Sequence, residues 1–277
     1  MPYEVLGIAL ALGASVLWSL SPILYKVGAS DDALDDLFSN SLGAFILAVP
    51  LIALSPPLNL NAWLYASLFS ILGPVLGTYV FLISIRYADV GITNALSYAY
   101  IVFLPLIMSM VSPGYLVYLW PGSLVLMGIL LIMHSGRGRL IGYSLALLSA
   151  LLYALSFYAM YLAYDYTNAW GIIFIRGLIL MAASLMLKVA LGKPRFTISR
   201  KILMAGILSY GIGGPLYVAS VQYAGIVLPT LITSLSPVIT EALAAVGLGE
   251  RLGVKSAVGF ILVVTGVVIA SIMTPQT

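Results

Sequence analysis

Tyr87-Ala88-Asp89-Val90 returns, altered but in step, as Tyr223-Ala224-Gly225-Ile226. Outward from that pair the correspondence continues. Trp18-Ser19-Leu20-Ser21 falls on Tyr153-Ala154-Leu155-Ser156, and Leu124-Val125-Leu126-Met127-Gly128 on Leu262-Val263-Val264-Thr265-Gly266, at an offset of about 135 to 138 residues. The stretch from about Gly7 to Gly136 is thus written again from Gly142 to Met273, which divides the chain into a first repeat, 1–136, and a second, 137–277.

Composition fixes the class of molecule in which this duplication sits. Of 277 residues 62% are hydrophobic and 8% charged, against roughly 45–50% and about 25% in a soluble domain. A net charge of +3 lacks the clustered Lys and Arg that phosphate contacts require, so nucleic acid is not an expected partner. With no Cys there are no disulfides, thiolate metal sites or Cys nucleophiles. No cofactor is expected. The start, Met1-Pro2-Tyr3-Glu4, is acidic and leads into a run long enough to span, unlike a cleavable signal.

Ten apolar segments, each about long enough for a hydrocarbon core of roughly 30 Å, lie near 3–26, 34–54, 62–86, 92–111, 115–133, 140–163, 168–190, 202–222, 226–247 and 254–273. Their continuous apolarity excludes the alternating strands of a membrane barrel. The expected fold is all-α, ten transmembrane helices built as two five-helix repeats around a central cavity. Five spans per repeat is odd, so the second copy is expected to be inverted, an arrangement that gives one site two alternately open gates. Every Lys and Arg except Arg176 falls in loops on one side, from Lys26 and Arg86 to Arg251 and Lys255. By the positive-inside rule that side is cytoplasmic and both termini lie outside a plasma (inner) membrane. Trp63, Trp120 and Trp170 begin spans three, five and seven at the opposite interface. Asp31, Asp32, Asp35 and Asp36 sit among the basic loops but weigh little in this rule.

Ionisable groups inside the bilayer need a reason, and two qualify, Arg176 and Glu241. Thr230, Ser234, Pro237 and Glu241 form one helical stripe, as do Asn94, Tyr98, Ile101 and Pro105 in the fourth span, and the two faces are expected to meet. Glu241 reads either as a protonatable group coupling proton movement to a ligand or as a neutral, hydrogen-bonded carboxyl. Arg176 reads chiefly as a structural residue that snorkels to the surface, with contact to substrate as the alternative. Gly73, Pro74 and Gly77 in the third span and Gly213, Gly214 and Pro215 in the eighth interrupt corresponding helices. With Pro237 they are candidate hinges, because such breaks expose backbone polar groups where a wet cavity satisfies them; close helix packing is the alternative. Trp18, Tyr153 and Tyr217 are candidate cavity walls, so the expected ligand-binding set is Trp18, Asn94, Tyr98, Tyr153, Tyr217, Ser234 and Glu241.

Ser15-Val16-Leu17-Trp18-Ser19, Arg176, Leu235-Ser236-Pro237-Val238, and Leu248-Gly249-Glu250-Arg251-Leu252 followed by Gly259 and Gly266 give the chain a resemblance to EamA-type transporters of the drug/metabolite transporter superfamily. The resemblance covers nearly the whole chain. It implies ten helices around a cavity, and export or exchange of small metabolites such as amino acids by alternating access, driven by an ion or substrate gradient. The first repeat departs from the pattern, with Ser112-Pro113-Gly114-Tyr115 where the second has Leu-Gly-Glu. The resemblance also implies cytoplasmic termini, against the basic loops. The expected partners are a small polar, amino-acid-like substrate and the lipid bilayer, and the expected assembly is a monomer or homodimer. The rivals are an intramembrane enzyme, for which no nucleophile and base converge around the lone His134, and a channel or structural membrane subunit.

Overall fold

The computed structural model describes residues 2–53, 56, 59–132, 139–193, 195–248 and 254–273. All regular structure among them is helical: α1 (Pro2–Gly28), α2 (Ala33–Ala48), α3 (Leu60–Ser84), α4 (Val90–Ser97 resuming as Tyr100–Met108), α5 (Leu119–Ile132), α6 (Leu140–Ala163), α7 (Ala169–Ala190), α8 (Arg200–Ala224), α9 (Val227–Thr233 resuming as Ser236–Leu248) and α10 (Val254–Ile272). Local chemistry sets several starts. Asp32, Asn59, Asn168 and Ser199 each place a side-chain oxygen on a free N–H of the first turn of α2, α3, α7 and α8, offsetting donors that have no intrahelical acceptor. Gly225 ends α8 with φ +70, a left-handed conformation in which only a residue lacking Cβ is unstrained.

Among the described residues eight helices are long and apolar enough to cross a membrane. The two other expected spans, α4 and α9, carry shorter apolar helices, Ile92–Met108 and Val227–Thr240. Both are interrupted at the same point of the repeat. Around Tyr98 and Ala99 the backbone closes three-residue bonds, Tyr98 N–H to Ala95 O (3.2 Å) and Ala99 N–H to Leu96 O (3.0 Å), and Ser234 and Leu235 do the same. Hydroxyls compete with the ladder there: Ser97 Oγ donates to Asn94 O at 2.7 Å and Thr233 Oγ1 to Thr230 O at 2.9 Å. Pro237, which has no N–H to donate, comes directly after the second break.

A second pair of irregularities falls in α3 and α8. Ile71–Gly77 and Ile207–Gly213 are π-helical, wider turns that misalign carbonyls with the ladder and recur at functional sites. Glycine serves a different end where α5 and α10 pack. A Cβ built on Gly128 would lie 2.5 Å from Gly259 O, and one on Gly259 equally close to Gly128 O. The helices touch backbone to backbone, as small residues permit in membranes.

The helix ends sort into two sets. At one end Arg86 lies 3.7 Å from Asp36 and donates to Asp31 O and Ser30 O, Lys188 pairs with Asp35, and Lys193 lies 3.0 Å from Asp32. Ser199 Oγ donates to Gly28 O and Arg139 N–H to Tyr87 O, so this end gathers the basic loops. At the other, Tyr65 stacks on Tyr166 and Tyr3 on Tyr223, while Tyr118 donates to Met273 O. Asp32, Asp35 and Asp36, at the connection of α1 to α2, are thus counter-charges of the basic end. Burial pushes the Asp32 carboxyl up, but the Leu34 N–H and the Lys193 ammonium hold it below the usual carboxylate range.

Candidate functional site

Between the two ends, α1, α3, α4, α6, α7 and α8 line a cavity of about 130 Å³, roughly ten times what one water needs. Five of the residues expected to bind ligand line it: Trp18, Asn94, Tyr98, Tyr153 and Tyr217. Their rings form a connected wall. Trp18 and Tyr217 have centroids 5.3 Å apart, Phe157 lies 5.3 Å from both Tyr217 and Tyr100, and Tyr98 and Tyr100 are 5.2 Å apart. These separations suit tilted and edge-on aromatic pairs.

The π-helical segments meet this wall directly. Trp18 Nε1–H donates to Ser209 O at 2.9 Å, and the Arg176 guanidinium donates to Tyr210 O. Two carbonyls of the α8 π-segment are therefore bonded by side chains that line the cavity. On the α3 side Ser149 Oγ donates to Gly77 O at 2.8 Å. Thr78, Tyr153 and Tyr210 close a triangle of hydroxyls, Thr78 Oγ1 lying 2.7 Å from Tyr153 Oη and 2.5 Å from Tyr210 Oη, with 3.1 Å between the two phenols. The cavity is thus mainly aromatic, with the hydroxyls of Tyr153 and Tyr210 tied to Thr78 behind its wall.

Of the candidate hinges, Pro74 lines the cavity, and Gly73, Gly77, Gly213 and Gly214 press against its walls. A Cβ on Gly73 would come within 3.2 Å of Tyr153, on Gly77 within 3.3 Å of the same ring, and on Gly213 within 2.8 Å of Trp18. At Gly214 it would overlap the Arg176 guanidinium. Pro215 sits in the first turn of the resumed helix. These glycines therefore admit the cavity's own side chains.

Thr230, Ser234 and Pro237 of the α9 stripe are not among the residues that line the cavity. Ser234 is fully buried, and its Oγ turns back to Leu231 O at 2.5 Å. Thr230 Oγ1 instead supports the wall from behind, 2.7 Å from Tyr217 Oη. Pro237 is likewise outside the lining, because the three-residue turn at Ser234 rotates the second segment of α9 away from the face of Thr230. Glu241 is in α9, but its side chain lies outside the described residues. Among the described residues the expected meeting of two equivalent polar stripes is therefore one-sided: α4 supplies Asn94, Ser97 and Tyr98 to the cavity and the described side chains of α9 supply none of its lining.

Arg176 does not snorkel. It sits about 10 Å along α7, is 3% exposed, and lines the cavity with its guanidinium 5.5 Å from the Tyr210 ring centroid. Its Nε has no hydrogen-bond partner among the described residues. A charge so placed costs about 2.5–3.5 kcal/mol on insertion scales. Sequence reasoning also passed over Tyr100, Phe157 and Tyr210 as wall residues. Phe157 was within reach, four residues after Tyr153 on the same helical face; Tyr210 was not, because the π-turn around it shifts the register.

Residues 140–272 match the EamA-like transporter family, the half that carries Leu248-Gly249-Glu250. No curated protein matches the chain. A solved structure described as "Crystal structure of protein" superposes with a TM-score of 0.73, covering 95% of this chain and 96% of that one at 14% identity. At that identity the likeness is one of fold alone.

Proposed function

We propose that this chain, whose residues 140–272 belong to the EamA-like transporter family, is a secondary transporter passing a small polar, amino-acid-like metabolite through the central cavity by alternating access, as exporter or exchanger. The observation that carries this reading is a mainly aromatic cavity, with the polar groups of Asn94, Ser97, Arg176 and Ser21 in its lining, at the paired π-helical breaks of α3 and α8 within a bundle of membrane-length helices. A closed packing core has no need of such a void. The inverted relation of the repeats is supported by α1 and its counterpart α6: α1 ends at the basic end, with Gly28 O held by Ser199, whereas α6 begins there, with Arg139 bonded to Tyr87 O. The basic end faces the cytoplasm by the positive-inside rule.

Purified protein in liposomes preloaded with unlabelled amino acids, amines or sugars should accumulate the labelled counterpart of its substrate by counterflow. Absence of counterflow across all these classes contradicts the transport reading. Glu241 is proposed as the proton-coupling group. Glu241→Gln should keep exchange and lose accumulation driven by a pH gradient; full pH-driven accumulation by this variant refutes the coupling role.

A further inference from the structure

Resting on the transport reading but tested apart from it, we propose that Arg176 is the anchor for a carboxylate on the molecule bound in the cavity. Two buried polar groups of the lining lack partners among the described residues, Arg176 Nε on α7 and Ser21 Oγ on α1. The guanidinium is held in place from below, by the Tyr210 carbonyl and the Tyr210 ring, and by the space that Gly214 leaves for it. These contacts orient the group without neutralising it, since a carbonyl and an aromatic face carry no net charge. Among the described residues, no Asp or Glu lines the cavity. A planar fork of N–H donors fits the two oxygens of a carboxylate. In surroundings of low dielectric it also repels a ligand whose only charge is positive. The aromatic wall opposite suits an apolar side chain.

Four compounds that share the isobutyl side chain separate the charges: leucine, N-acetylleucine, leucinamide and isopentylamine. The readout is the rise in melting temperature of the purified full-length protein as each is titrated, which reports binding whether or not transport occurs. Leucine and N-acetylleucine should bind at least about tenfold more tightly than the two compounds lacking a carboxylate. Arg176→Gln should erase this preference, and Arg176→Lys, which keeps the charge without the fork, should retain part of it. If Arg176→Gln does not fold, the ranking by the wild-type protein decides. Equal binding of acid and amide, or no binding of either carboxylate, overturns the proposal; the latter is the result expected if a side chain of the protein already neutralises Arg176. Binding of the carboxylates without counterflow leaves the anion site standing and contradicts transport.

Discussion

Trp18 does two jobs at once, and a single substitution separates them. Its ring packs on Tyr217 while its N–H holds Ser209 O of the α8 π-segment. Trp18→Phe keeps much of the ring and removes the indole donor, leaving Ser209 O with the Gly214 N–H alone, which should lower stability by the net worth of one hydrogen bond, about 0.5–1.5 kcal/mol. An unchanged thermal midpoint in detergent would mean that the indole bond contributes nothing to stability. At Gly214 two effects oppose: Ala is better than Gly in a helix by about 1 kcal/mol, whereas the added methyl would meet the Arg176 guanidinium carbon at 2.8 Å, and overpacking costs about 1–3 kcal/mol. Because that guanidinium is buried, the clash should win and Gly214→Ala should melt lower; a higher midpoint would show the side chain free to move. Asp32 caps α2 and faces Lys193, which is 55% exposed. The exposed pair is worth at most about 1 kcal/mol, and the cap about as much. Asp32→Asn should therefore be nearly neutral near pH 7 and Asp32→Ala destabilising. The charge contribution, arising from a folded carboxyl held low, is complete above the unfolded value of about 3.9 and is lost as pH falls through the folded value. Equal midpoints for both variants would refute the capping role.

At the scale of elements, the α5–α10 pair gives the cleanest test. Gly128 and Gly259 each oppose the other's carbonyl, and backbone cannot swing aside as a side chain can. Gly128→Ala and Gly259→Ala should each cost about 1–3 kcal/mol, with Gly259→Val costing more; variants as stable as the parent would contradict the close approach. Helix existence was legible because runs such as 140–163 are continuously apolar. The Gly-Pro clusters pointed correctly to irregular backbone in α3 and α8. What they could not convey is the π-register, which depends on carbonyls finding partners in other helices, here Trp18, Arg176 and Ser149. The same limit misled the reading of α9. Spacing put Thr230, Ser234 and Pro237 on one stripe, but a stripe holds only while the helix stays regular, and α9 turns at Ser234.

For the whole molecule, the loops that looked one-sidedly basic are partly neutralised within the fold by Asp32, Asp35 and Asp36. Single-sequence reading missed these pairs because they join the start of α2 to residues about fifty or more positions away. The chain has no Cys, so one introduced thiol reports its own side of the membrane. Ile198→Cys, an exposed position beside the start of α8, should react with an impermeant thiol reagent in inside-out vesicles only; reaction in right-side-out vesicles alone would reverse the orientation. The central claim is that the cavity is a transport site opening alternately to the two sides, and Ser97, in its lining, tests it most directly. In a Ser97→Cys variant that retains counterflow, the impermeant reagent should label the thiol in both vesicle orientations, with substrate added on one side shifting the balance between them. Labelling from one side under every condition, or from neither, would contradict alternating access through this cavity.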